Sequence, residues 1–136
     1  MSSSQNDQNK SILIVDDEPD VLEFLKLYLG SLGWLITTST STVAAIQLLI
    51  ENRYFMVISD IAMPDMDGYE FITRMREISK DAQVALMTGF GYNPHHTLVK
   101  LNKSVHYPIL FKPFNRNKLA ETVALAWETF HKNAGV

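Results

Sequence analysis

The stretch VISDIAMPDMDG, residues 57–68, decides how this chain is read. It begins inside an apolar run formed by Phe55, Met56, Val57 and Ile58. No polar residue interrupts that run to mark a solvent-facing side. Such a strand is buried on both faces, as in a parallel sheet covered by helices. The run stops at Asp60, and Pro64, Asp65, Asp67 and Gly68 supply the turn chemistry that follows. Acids are common in loops, so Asp60 alone has a bland explanation. A carboxylate just past a buried strand also stands where open α/β sheets bind their ligands.

The same arrangement recurs along the chain. ILIV at 12–15, VALM at 84–87 and PILF at 108–111 are further unbroken apolar runs. WLITTS at 34–39 is more polar and suits an edge strand. Amphipathic segments fill the gaps. Pro19 opens a helix presenting Val21, Leu22, Leu25, Tyr28 and Leu29, ended by Gly30 and Gly33. Thr40 or Ser41 caps a second, with Val43, Ile46, Leu49 and Ile50 inward. A third runs from about Tyr69 to Ile78, burying Phe71, Ile72, Met75 and Ile78. Asn93 and Pro94 start a fourth with only Leu98, Val99 and Leu101 to bury. Asn115 caps the last, striped by Leu119, Val123, Ala126, Trp127 and Phe130. Five β-α units predict a five-stranded parallel sheet with helices on both faces and right-handed crossovers.

The 136 residues amount to one domain, expected over 11–132. Residues 1–10 are polar and aperiodic and are expected to form a disordered tail, with 133–136 a short C-terminal one. A net charge of −3 argues against a general nucleic-acid binder. The absence of cysteine excludes disulfides, cysteine nucleophiles and thiolate metal sites. No apolar run is long enough for a membrane span and no secretory h-region opens the chain, so a cytoplasmic location is expected by default.

The residues just past the buried strands share one rim of such a sheet. They are Asp16, Asp17 and Glu18, then Asp60, then Thr88 and Gly89, then Lys112 and Pro113. Three crowded aspartates with one ammonium call for a counter-ion. The donors are hard oxygens, which favours Mg²⁺. Lys112 as a point charge and Thr88 as a hydroxyl suit phosphoryl oxygens, leaving Asp60 as a nucleophile able to form an acyl phosphate. The adjacent His95 and His96 diverge on a helix and offer no zinc site.

Together VDDEPD, SDIAMPDMDG, MTGFG and FKPF resemble the receiver domain of two-component response regulators, from about residue 12 to 130. The resemblance implies a flavodoxin-like doubly wound fold with strand order 2-1-3-4-5. It implies that Asp60 accepts a phosphoryl group from a sensor histidine kinase or a histidine phosphotransfer protein. Asp17, Asp60 and the Ala62 carbonyl would bind Mg²⁺, with Asp16 assisting largely through water. Thr88 and Lys112 would hold the phosphoryl group, Gly89 would leave room for the donor, and Pro113 would follow a cis peptide bond. The implied protein is a switch rather than a turnover enzyme, with an unnamed output partner. The face of its fourth and fifth helices is a candidate for homodimer formation.

The chain departs from the family at three places. Ile109 stands where many receivers carry a switching aromatic, with Tyr107 nearby on the same nominal face. Ala62 and Phe90 stand at the positions that tune phosphoryl lifetime. Neither can orient an attacking water, so slow self-dephosphorylation is expected. The segment 92–103, with His95, His96, Lys100 and Lys103, is more polar than usual and reads as a solvated helix. Two other functions compete. One is a degenerate receiver acting as a phosphorylation-independent interaction module. The other is a dehalogenase-type phosphatase, for which Ala62 stands where a second aspartate is needed.

Overall fold

The computed structural model describes residues 10–89 and 107–134. Its strands are β1 (Ser11–Val15), β2 (Leu35–Ser39), β3 (Met56–Asp60), β4 (Gln83–Thr88) and β5 (Ile109–Phe111). Its helices are α1 (Pro19–Ser31), α2 (Thr42–Glu51), α3 (Gly68–Ile78) and α4 (Arg116–Ala134). The helix expected from Asn93 lies outside the described residues. The helix expected after Asn115 is α4, and it continues through Ala134, beyond the point where a tail was expected.

All four strand pairings are parallel, and the order is β2-β1-β3-β4-β5. Unbroken apolar strands alternate between two cores. Leu13, Val15, Val57, Val84 and Leu86 pack with Ala45, Leu49, Phe71, Ile72 and Met75 of α2 and α3. Ile12, Ile14, Met56, Ile58, Ala85, Met87 and Leu110 pack with Leu22, Leu25 and Leu29 of α1 and Leu119, Val123 and Phe130 of α4. A strand with a helical layer on each side has no face left for polar residues, which is why the runs carry none. β2 and β5 are the two edges: β2 is the more polar, whereas the apolar run at 108–111, expected to be buried on both faces, forms the short edge strand β5 and leaves Phe111 exposed.

The helix starts follow local chemistry. Pro19 occupies the first turn of α1, where its missing N–H costs no hydrogen bond. Ser41 rather than Thr40 caps α2, accepting from the Ala44 N–H at 3.2 Å. Asn115 Oδ1 accepts from Lys118 N–H at 2.9 Å and caps α4.

The inward face of α2 differs from the expected one. Val43 and Ile50 are 61% and 60% exposed, whereas Thr42, Ala45 and Leu49 are buried. The helix has apolar residues on more than one side, so periodicity alone did not select the stripe that meets the sheet. Ile78, at the end of α3, is likewise partly exposed at 38%. Trp34 and Trp127 pack edge to face at 5.4 Å, both against Phe55.

Candidate functional site

The chain leaves β1 toward β2 on one side and returns to β3 on the other. The carboxyl ends of β1 and β3 therefore flank the point where the winding reverses, and a crevice opens there. Asp16 follows β1 and Asp60 ends β3, so the two carboxylates face that crevice from adjacent strands. Thr88 ends β4, and Lys112 follows β5. The Lys112 N–H donates to the Thr88 carbonyl at 2.9 Å, fixing the last two strands in register at the rim.

Lys112 is the centre of the charges. Its ammonium lies 2.6 Å from Asp16 Oδ2, 2.7 Å from Asp60 Oδ2 and 3.0 Å from Glu18 Oε1. Asp16 and Asp60 are buried, while Glu18 reaches in from the surface. Burial pulls the Lys112 ammonium down, but hydrogen bonding to Asp16, Asp60 and Glu18 outweighs it and holds the group above its ordinary value. Burial pushes the Asp16 carboxyl up from 3.8 to about 6, reinforced by the Asp60 charge and opposed by bonding to Lys112 and to the Glu18 N–H. A neutral carboxyl at moderate pH is the response of a buried acid whose neighbours supply too little positive charge.

The remaining hydrogen bonds aim the acids. Glu18 N–H donates to Asp16 Oδ1 at 2.8 Å, and Ala62 N–H donates to Asp60 Oδ1 at 2.7 Å. Asp16, Asp17, Glu18 and Asp60 each present a carboxylate oxygen, all within 4.8 Å of one another. Four hard oxygens with no nitrogen or sulfur donor fit a small divalent cation such as Mg²⁺. Thr88 Oγ1 is buried and has no hydrogen-bond partner among the described residues. A buried hydroxyl without a partner leaves hydrogen-bonding capacity for an incoming oxygen.

The expected site residues come together with few exceptions. Asp16, Asp17, Asp60, Ala62, Thr88, Gly89 and Lys112 line the one rim, and the Lys112–Pro113 peptide is cis. A Cβ at Gly89 would touch nothing nearer than Lys112 Cδ, at 3.9 Å, so the backbone there borders open space. Tyr107 packs partly buried against the α2–α3 core, Ile109 is half-buried, and Phe111 is exposed. Phe90 lies outside the described residues. Glu18 and Asp65 were underestimated. Glu18 joins both the ion pairs and the acidic cluster, and Asp65 bonds to the start of α2 rather than serving its own turn. Gly68 reads in the sequence as a turn residue only. A Cβ there would lie 2.8 Å from the Ile61 carbonyl oxygen, so α3 starts hard against the backbone beside Asp60.

Among known proteins, the response regulator receiver domain family model matches residues 12–124. The chain is 31% identical over 118 residues to the response regulator receiver protein CpdR of Brucella abortus (strain 2308), covering 84% of this chain and 93% of that one. It is 35% identical over 130 residues to the sensor histidine kinase RcsC of Salmonella typhimurium (strain LT2), covering 96% of this chain but 14% of RcsC. The structure superposes on the beryllofluoride-activated NtrC4 receiver domain dimer with a TM-score of 0.79 and 32% identity, over 89% of this chain and 98% of that one. Among the described residues no helix is long and apolar enough to cross a membrane.

Proposed function

The chain belongs to the response regulator receiver domain family of two-component systems, and from that premise we propose that it is a switch phosphorylated on Asp60. The supporting observation is the convergence on one crevice of Asp60, the Lys112 ammonium 2.7 Å from it, and the Thr88 hydroxyl, which has no partner among the described residues. The donor is a phosphohistidine on a sensor histidine kinase or a histidine phosphotransfer protein. A carboxylate oxygen of Asp60 attacks phosphorus, and the N–P bond breaks. The imidazole nitrogen leaves with the electron pair and takes up a proton. An acyl phosphate remains on Asp60.

Each neighbour has one task. Lys112 stays ionised and offers its charge to the transferred phosphoryl group, while keeping its contact with Asp60. Thr88 donates its hydroxyl to a phosphoryl oxygen, which draws the end of β4 toward the site. Gly89 leaves a path for the donor. Asp17, Asp60 and the Ala62 carbonyl would hold Mg²⁺, with Asp16, and Glu18 beside it, completing the acidic surround. Bound Mg²⁺ would neutralise the acids and draw charge from the phosphoryl oxygens during transfer. The phosphorylated state alters contacts with an output partner. A phosphohistidine donor is charged from ATP, which places this chemistry in the cytoplasm.

The test is the intact mass of the protein after incubation with acetyl phosphate and Mg²⁺, beside Asp60→Asn. A gain of one phosphoryl group, about 80 Da, in wild type and not in the variant supports the reading. No gain in either, with Mg²⁺ binding established, replaces it with a phosphorylation-independent interaction module. A gain in both places the phosphoacceptor elsewhere.

A further inference from the structure

We propose that Asp65 is a positioning residue for this site, acting through the first turn of α2; the inference deepens the reading of Asp60 and Ala62 given above. Asp65 lies in the loop 61–67, between β3 and α3. Its Oδ2 accepts from Ser41 Oγ at 2.8 Å and from the Thr42 N–H at 3.0 Å. Its Oδ1 accepts from Thr42 Oγ1 at 2.8 Å. Thr42 is fully buried, so its hydroxyl needs an acceptor, and a carboxylate from another element supplies it.

Asp65 completes the cap of α2 by accepting from the Thr42 N–H, but local capping does not require an acceptor from the distant loop 61–67 or its bonds to the Ser41 and Thr42 hydroxyls. α2 already has a cap in Ser41. The loop 61–67 also carries Asp67, which caps α3 by accepting from the Tyr69 N–H at 3.2 Å. Asp65 caps neither its own turn nor its own helix. Its carboxyl meets some burial, but the hydrogen bonds from Thr42, Ser41 and Val43 outweigh it and hold the group below the usual carboxylate value.

The contact closes a ring around the crevice. The Asp16 N–H donates to the Ser39 carbonyl at 3.1 Å. Ser39 Oγ donates to the Ser41 carbonyl at 2.7 Å and accepts from the Ser41 N–H at 3.2 Å. Ser41 and Thr42 then bind Asp65. From Asp65 the loop runs back to Ala62, whose N–H holds Asp60 Oδ1. Ile61 and Met63 anchor the loop by burial, which fixes depth. Asp65 adds directional bonds, which fix the position of the Ala62 backbone along the rim. The loops after β1 and β3, which carry the acidic ligands, are thereby tied together through the turn after β2.

Amide hydrogen exchange at Ala62, read in the metal-free protein, tests the clamp without reference to metal or phosphate. Asp65→Ala is expected to speed exchange at Ala62 about fivefold or more beyond any acceleration at Ile14 in β1, which reports global stability. Mg²⁺ affinity should fall by about threefold or more in the same variant. Thr42→Val, which removes the Oγ1 bond and leaves those from Ser41 Oγ and the Thr42 N–H, should act in the same direction by a smaller amount. The double variant should be no worse than the stronger single one, because both remove the same bond. Asp65→Asn, which keeps one acceptor oxygen, should recover part of the loss. Unchanged exchange at Ala62 in both single variants overturns the proposal. So does faster exchange with Mg²⁺ affinity held within about twofold, since the contact would then order the loop without positioning the site. If wild type takes up no phosphoryl group, the reading of Asp60 fails separately, and the exchange comparison still decides the clamp.

Discussion

The Lys112 ammonium lies 2.7 Å from the Asp60 carboxylate and 2.6 Å from that of Asp16, so one cation holds two buried acids from neighbouring strands. Removing it strands both. Lys112→Met should destabilise the metal-free protein by about 3 kcal/mol, the low end of the cost of orphaning a buried charge. Mg²⁺ should restore more stability to this variant than to wild type, because the ion then takes over the counter-charge that Lys112 supplies among the described residues. Thermal unfolding with and without Mg²⁺ measures both effects. Equal Mg²⁺-induced shifts in the two proteins would show that Lys112 and the metal do not share the same acids.

Asp16 gives the metal-free protein an inverted pH response. Its folded carboxyl titrates near 6 because of burial, against 3.8 for the free side chain. Between those values the native state holds a proton that the unfolded state has released. The unfolded state therefore binds fewer protons, and this contribution to stability falls as pH rises from about 4 to about 6, then levels off. Asp16→Asn lacks the titration. Its stability relative to wild type should be higher at pH 7 than at pH 4.5, measured by urea unfolding without Mg²⁺. Mg²⁺ requires the ionised acids, so apparent affinity in wild type should climb through the same window. A relative stability of the variant that is independent of pH would assign Asp16 an ordinary titration.

Gly68→Ala tests the tight join between α3 and the site loop. The added carbon would meet the Ile61 carbonyl oxygen at 2.8 Å and Ile61 Cα at 2.9 Å. Both are backbone atoms, which cannot swing aside as a flexible side chain can. Overpacking of this kind costs about 1–3 kcal/mol, and the displaced backbone is that of the residue between Asp60 and Ala62. Urea unfolding gives the stability loss and Mg²⁺ titration gives the effect on the site. A neutral substitution in both would mean that α3 can shift without moving the loop.

The parts of this fold legible in the sequence are those with a period or a punctuation mark. The three interior strands announce themselves because helices on both faces leave no room for polar side chains within their apolar runs, the edge strand β5 is marked by its own apolar run, and polar residues just past each run reach the crevice. That pattern brings Asp60, Thr88 and Lys112 to one rim. α2 was less legible, because Val43 and Ile50 are apolar yet exposed while polar Thr42 is buried. Thr42 could not be placed inward without its acceptor, Asp65, and a pairing between distant elements leaves no periodic trace. Glu18 is placed on the rim by the sequence, but its ion pair is not, since its partner Lys112 is 94 residues away.

Ala62 sets the expected lifetime of the phosphorylated state. It lies two residues past Asp60, its N–H is engaged with Asp60 Oδ1, and its side chain is a methyl group. Hydrolysis of an acyl phosphate needs a water aligned behind phosphorus, and a methyl group can neither accept from that water nor donate to it. Phe90, two residues past Thr88, adds no hydrogen-bonding group either. The phosphorylated protein should therefore persist for minutes or longer at room temperature. Ala62→Asn, which places an amide near the line of attack, should shorten that lifetime by about tenfold, within the range of a single positioned polar group. Decay followed by intact mass after removal of acetyl phosphate gives both numbers. Decay of wild type within seconds, or an unchanged lifetime in Ala62→Asn, would show that water reaches phosphorus by a route this side chain does not control.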